Sequence, residues 1–226
     1  MIEYKNLTLI GTSHISPESI KQVKAVIEEK KPNYVAIELD RGRFEGLMHP
    51  NKKNKFRIKD IKRIGISGLL FAIFGRWIEE KLGKMVGTKP GDEMKKAVYV
   101  AAKVNARILL IDQEIGVTLK RLFKTLTWKE KFTFVLDLIK GLFGIGEKIK
   151  IDLKSVPGDE LIEKLILQVK DRYPSIHKVL IQERNVYMAN KLRNFMGRNP
   201  DAVIVAIVGA GHKKGIEEIL FKSSSS

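Results

Sequence analysis

A chain of 226 residues with 44% hydrophobic content is long enough to bury one sizeable core. Cysteine is absent, which excludes disulfides, thiol nucleophiles and cysteine-based zinc sites. The formal charge of +16 is unevenly spread: Lys52, Lys53, Lys55, Arg57, Lys59, Lys62 and Arg63 face Asp60 alone within residues 50–63. Such a run suits nucleic acid or an anionic membrane surface, or it is simply a solvated face. Only Phe56 is interleaved with these cations, so stacking on bases is poorly supplied and nucleic acid is not the expected partner. The opening M-I-E-Y-K-N-L-T-L-I-G is too polar for a secretory signal. No stretch reaches the roughly 20 uncharged apolar residues of a membrane span; Ile64–Phe74 comes nearest, before Arg76 and Glu79 interrupt it.

Four short apolar runs read as buried strands: 7–10, 34–39, 106–111 and 202–208. Between the first two, Ser16 suits an N-cap and Pro17 the first helical position, and Ile20, Val23, Val26 and Ile27 fall at helical spacing. Residues 91–103 form a second amphipathic helix, 176–195 a third, and I-E-E-I-L-F after the last strand a fourth. Strands that are apolar along their whole length and alternate with helices predict an α/β fold with a mostly parallel central sheet flanked by helices. Residues 1–221 then make a single domain, and 222–226 a serine tail. Helical insertions at about 64–86 and 119–178 make a lobe beside the sheet, with Leu69, Phe74, Trp77, Leu122, Trp128, Phe132 and Phe134 among its large apolar groups.

Ligands of parallel sheets gather at the carboxyl ends of the strands. Here the first strand leads into Gly11-Thr12-Ser13-His14, the second into Glu38-Leu39-Asp40, the third into Asp112-Gln113-Glu114, and the fourth into Gly209-Ala210-Gly211-His212. Every strand thus ends in an ionisable group, and two deliver G-x-x-H. Two imidazoles and several carboxylates suit a divalent ion such as manganese, cobalt or zinc. The glycines would let the backbone turn off the strand and leave room for an ion or substrate. A histidine after a strand also serves as a capping or hydrogen-bonding residue, and spacing alone leaves both roles open. His49 and His177 read as surface residues. On the helix 176–195, a face of Val179, Glu183, Val186 and Asn190 points inward, so Glu183 requires a partner such as Arg184, a strand-end base or a metal.

The chain resembles the TraB/PrgY group of pheromone-shutdown proteins, relatives of the TIKI metalloproteases and, more remotely, of the erythromycin-esterase and ChaN-like fold. The likeness runs through L-I-G-T-S-H-I-S (9–16), V-A-I-E-L-D-R-G-R-F-E-G-L (35–47), G-T-K-P-G-D-E-M (87–94), L-L-I-D-Q-E-I-G-V-T-L-K-R (109–121), E-R-N-V-Y-M-A (183–189) and I-V-G-A-G-H-K-K-G-I (207–216). It implies a compact α/β domain in which paired G-x-x-H motifs and an acidic residue form a metal-dependent hydrolytic centre. Carried over by position, His14 and His212 are the histidines and Glu38 the acidic partner, with Arg43, Glu93, Asp112, Glu183 and Arg184 lining the site. Asp112-Gln113-Glu114 stands where the family often has Asp-Arg-Asp, which alters the local charge pattern. Many relatives continue into C-terminal transmembrane segments, so the expectation is a domain either cytoplasmic or membrane-associated through such a segment.

The expected activity is metal-dependent hydrolysis, with a peptide or a small molecule as substrate. His14, His212 and Glu38 would hold the ion, and Glu38, Arg43, Glu183 and Arg184 would serve catalysis. Gly11, Glu93, Asp112, Asn185, Gly209 and Gly211 would bind substrate. The alternative is a regulatory module that sequesters a peptide or small ligand without turnover, its polar groups closed into ion pairs such as Glu183–Arg184.

Overall fold

The computed structural model describes residues 1–12, 17–49, 91–142 and 159–222. His14, the Ser16 cap, the basic run, the insertion at 64–86, the G-T-K-P of the third motif, residues 143–158 of the second insertion and the final serines lie outside the described residues.

Among the described residues five strands form one sheet in the order β1-β2-β5-β3-β4. They are β1 (Ile2–Tyr4), β2 (Leu7–Thr12), β3 (Tyr34–Ile37), β4 (Arg107–Leu110) and β5 (Ile204–Gly209). The last four run parallel, as the apolar runs predict, and β1 pairs antiparallel with β2 at the edge. At three residues among charged neighbours, β1 carries no sequence signal of its own. The last strand in sequence is central, and all six of its residues are buried.

Alternation along the strands sends two sets of side chains to opposite faces. Val35, Ile37, Val205 and Ile207 pack with α1 (Pro17–Lys30) and α3 (Asp92–Lys103). Leu7, Leu9, Ile204, Ala206 and Val208 pack instead beneath α8 (Glu183–Arg198) and α9 (Ala210–Lys222). The helix after β2 and the helix after β5 therefore cover different faces, although the two strands are neighbours. Such a parting of connections opens a crevice at the carboxyl edge, where α/β sheets bind ligands.

Residues 41–48, R-G-R-F-E-G-L-M, form a helix that periodicity does not reveal, because Gly42 and Gly46 interrupt it. This helix, α2 (Arg41–Met48), is specified by its cap. The Asp40 carboxylate accepts from the backbone N–H of Gly42 (2.8 Å) and of Arg43 (3.1 Å). Burial opposes ionisation of Asp40, but the Arg43 guanidinium and these two amides outweigh it and hold the carboxyl below its ordinary range. Asp40→Ala is expected to cost about 1–2 kcal/mol at pH 7, measured by urea unfolding. A carboxylate depressed in the folded state stabilises fully above its unfolded value. The wild-type advantage over Asp40→Ala is therefore expected to shrink as the pH drops below about 3.9.

Among the described residues the second insertion holds α4 (Ile115–Thr125), α5 (Trp128–Leu142) and α6 (Asp159–Arg172). A capping box separates the first two: Thr127 N–H and Oγ donate to Glu130 (2.9 and 2.8 Å), and Glu130 N–H donates back to Thr127 Oγ1 (3.2 Å). Leu122 is buried as expected of the lobe, but Trp128 is 84% and Phe132 67% exposed, so neither is core. Among the described residues no helix is long and apolar enough to cross a membrane.

The helix expected over 176–195 begins at α7 (Pro174–His177), passes through a π turn over Lys178–Gln182, and continues as α8. A π turn accommodates one extra residue and shifts everything after it out of α-helical phase. The inward face moves accordingly from Glu183 and Val186 to Asn185, Met188, Ala189 and Leu192. Val186 is 47% exposed.

Candidate functional site

The carboxyl edge of the sheet gathers the site from chain segments far apart in sequence. Glu38 and Asp40 follow β3, Asp112 follows β4, and Gly209 passes without a loop into α9, which carries His212 in its first turn. Helices α3 and α8 each lead back to the start of a strand, so their own N-termini stand at the same edge. They bring Glu93, and Arg184 with Asn185. The two G-x-x-H motifs open on neighbouring strands, with Gly11 in register with Val208 and Thr12 with Gly209.

Arg184 is the hub. Its Nε and Nη2 donate to the two oxygens of Asp112 (3.1 and 2.5 Å), and Nη2 also donates to Glu38 Oε1 (2.5 Å). A second guanidinium, Arg43, donates to the same Asp112 and to Asp40 Oδ2 (2.5 Å). Glu38 accepts from the N–H of Gly209 at its other oxygen (2.6 Å), which locks the carboxylate to the strand that leads to His212. Burial works against the charged form of both arginines, yet the carboxylates around them raise both pKa values. Among the described residues the cluster holds three carboxylates against two guanidinia, and the side chains of Glu38 and Asp112 are 5% and 0% exposed.

His212 closes the cluster. Its Nε2 lies 3.1 Å from Arg184 Nη1 and 3.4 Å from Glu38 Oε1. A guanidinium has only hydrogens to give, so Nε2 accepts and Nδ1 carries the hydrogen. That Nδ1–H donates to Asn185 Oδ1 at 2.6 Å. Such a side-chain carbonyl behind Nδ1 fixes the ring with its Nε2 lone pair directed at the cluster, the arrangement metal-ligating histidines use.

Asn185 is held against Gly215. A Cβ on Gly215 would lie 2.0 Å from Asn185 Nδ2 and 3.0 Å from Cγ. Gly215→Ala is therefore expected to drive Asn185 from its place and leave His212 Nδ1–H buried without its acceptor. The expected loss is about 1–3 kcal/mol in urea unfolding, and stability equal to wild type would show that Asn185 does not brace the ring.

The other expected residues fall into three groups. Gly11 is tight, since a Cβ there would meet Lys213 Cδ at 2.9 Å. Gly209 and Gly211 do not use glycine's conformational freedom: among the described glycines only Gly91 has φ > 0, and the strand continues directly into α9. Glu93 is buried in the first turn of α3. Glu183 departs from its expected place, because the π turn carries it away from Arg184 and toward Arg121, whose Nε donates to its carboxylate at 3.1 Å. The Glu183–Arg184 pair is therefore replaced by Arg184 with Glu38 and Asp112. His49 is exposed, as expected. His177 is not a surface residue; it is 8% exposed. Asp40 reads in the sequence as one more strand-end carboxylate, and its N-cap position before R-G-R was the available signal for α2.

Among the described residues no group of three or more His, Asp and Glu side chains is arranged to hold a metal ion. What they supply is one edge, His212 Nε2 and Glu38 Oε1. The 3.4 Å between these atoms matches two donors on a tetrahedral ion with bonds of about 2.0–2.1 Å. The guanidinium of Arg184 lies against that same edge.

A mostly parallel sheet flanked by helices, with a charged cluster at its carboxyl edge, defines an α/β protein. The chain belongs to the TraB/PrgY/gumN family, whose model matches residues 2–222. It is similar to an uncharacterized protein of Methanocaldococcus jannaschii, 35% identical over 226 residues that cover 96% of this chain and 54% of that one. It is also similar to the TraB domain-containing proteins of Mus musculus and Homo sapiens. Each is 26% identical over 234 residues, covering 93% of this chain and 61% of the relative. The chain thus spans between about half and three-fifths of the length of the curated relatives it matches.

Proposed function

We propose that the protein is a metal-dependent hydrolase acting on peptide bonds, with its centre at the His212–Glu38 edge. The observation that carries this reading is the 3.4 Å edge between His212 Nε2 and Glu38 Oε1, with His212 Nδ1–H braced by Asn185. His212 and Glu38 would hold a divalent ion (manganese, cobalt or zinc), with His14 from the neighbouring motif as the third donor. When bound, such an ion supplies Lewis acidity, enough to bring the pKa of water to about 7. The excess of carboxylates over guanidinia around Arg184 favours a further positive charge at the edge.

The remaining work falls to the chain's own groups. Two hydrogen bonds to Asp112 anchor Arg184, and an ion that takes the His212 Nε2 lone pair would release one Nη1 hydrogen toward a substrate oxygen. A guanidinium in that position stabilises the oxyanion that develops as an amide is attacked. Asp112 and Asp40 hold Arg43 beside it, and Asn185 keeps the imidazole in one tautomer. The test is incubation of the purified protein with a mixed peptide library and manganese or cobalt. Cleavage products that disappear with chelator are expected.

A second reading, a binding module without turnover, is favoured by one feature. Arg184 already hydrogen-bonds both Glu38 and Asp112, so each of these two carboxylates has a guanidinium partner before any ion binds. In the same incubation, peptide that is retained and intact in the presence of metal would support this reading over hydrolysis.

A further inference from the structure

Behind Asn185, on the side away from Arg184, lies a cavity of about 410 Å³ between α6, the π turn and the first turns of α9. Its volume falls within the range of small-molecule sites. Two walls are apolar, built from Ile166, Leu167 and Ile181. Its interior is not. His177 is 8% exposed and Asn185 5% exposed, and both line the cavity. Neither ring nitrogen of His177 has a hydrogen-bond partner among the described residues. Asn185 spends Oδ1 on His212, and among the described residues the hydrogens of its Nδ2 meet no acceptor. These atoms line the cavity and are not sealed in the interior, so water or a ligand in the cavity completes their hydrogen bonds.

Those groups describe the missing partner. Burial, aided by the charge of Lys170, pushes the His177 pKa down, so the ring is neutral near pH 7 and offers one donor and one acceptor. A peptide group presents the complementary acceptor and donor. Asn185 Nδ2 adds donors for a carbonyl. The mouth carries both signs, Lys213 and Lys214 against Glu163, Glu217 and Glu218, with Lys214 paired to Glu163, so it holds no strong excess of either charge. The apolar walls suit an aliphatic side chain of leucine size.

We propose that this cavity is the specificity subsite of the enzyme, binding a leucine-like residue of a peptide through its main-chain amide and its aliphatic side chain. The side chain packs on Ile166, Leu167 and Ile181, and the amide pairs with His177 and Asn185. Asn185 then reports occupancy directly to His212, since one side-chain amide touches both. This assignment rests on the peptide reading of the neighbouring centre, so its test is made where hydrolysis is silent.

The test is a titration of the intact protein with N-acetyl-leucinamide in the presence of chelator, followed through the side-chain amide NMR signal of Asn185. Saturable shifts with a dissociation constant of about millimolar are expected for a ligand of this size. N-acetylglycinamide, which lacks the aliphatic group, is expected to bind at least tenfold more weakly. The same weakening is expected in Ile166→Trp, which fills the cavity, and in His177→Phe. Leu167 is 52% exposed, so Leu167→Trp serves as a filling variant with little risk to folding. No saturable shift in the wild type, or an unchanged affinity in folded Leu167→Trp and His177→Phe, would overturn the assignment. Loss of this binding with cleavage intact removes the subsite alone; binding retained with no cleavage removes the hydrolase alone.

Discussion

Arg184→Met is expected to lower the unfolding free energy by about 3–5 kcal/mol, the largest effect of any single change at the carboxyl edge. The cause is not lost attraction alone. Glu38 and Asp112 have side chains 5% and 0% exposed, and both give hydrogen bonds' worth of acceptor to the one guanidinium. Removing it leaves two carboxylates in a desolvated site with Arg43, which reaches Asp112 but is not bonded to Glu38. Arg184→Lys keeps the charge and loses the planar fork, which cannot then serve Asp112 at two oxygens and Glu38 together. An intermediate loss is expected for it. Urea unfolding of the three proteins orders them wild type, Lys, Met. Equal stability of the Met variant and the wild type would mean that the two carboxylates are satisfied without Arg184.

The second large effect is on chemistry. His212→Ala is expected to reduce chelator-sensitive peptide cleavage by at least about 10²–10⁴-fold, the range associated with losing a group that handles protons or charge at the reacting centre. Its effect on folding is smaller, because alanine removes a donor to Asn185 and an acceptor for Arg184 without leaving a bare charge. Its stability loss is accordingly expected at about 1–3 kcal/mol. A His212→Ala protein as active as the wild type would place the chemistry elsewhere.

Much of the frame was legible in the sequence because a parallel strand covered on both faces is apolar throughout. Y-V-A-I and I-V-A-I-V-G announce β3 and β5 without any knowledge of their neighbours. The ionisable residues at each strand end were legible for the same reason, since the apolar runs stop at them. Their pairing was not. Arg184 meets Glu38 across 146 positions and Asp112 across 72, and only the sheet order brings them together. Along the helix expected over 176–195, periodicity failed at the π turn over Lys178–Gln182. It advances the chain by a residue that no side-chain pattern marks, turning Glu183 toward Arg121 and Asn185 toward His212. His177 was missed as a buried residue for a related reason. It sits at the junction of α7 and the π turn, where helical spacing gives no reliable face. Asp40 was seen as a strand-end acid, while its role as the cap of α2 was hidden by the two glycines that follow.

The central claim is that His212 shares an ion with His14 at the Glu38 edge. Its most direct test is the metal-to-protein ratio of untagged protein, purified without chelator, for the wild type, His14→Ala and His212→Ala. About one divalent ion per wild-type chain, and a ratio near zero in both folded variants, is the predicted result. A ratio that is the same in all three proteins, or a wild type that binds no ion at all when supplied with manganese, cobalt or zinc, would contradict it.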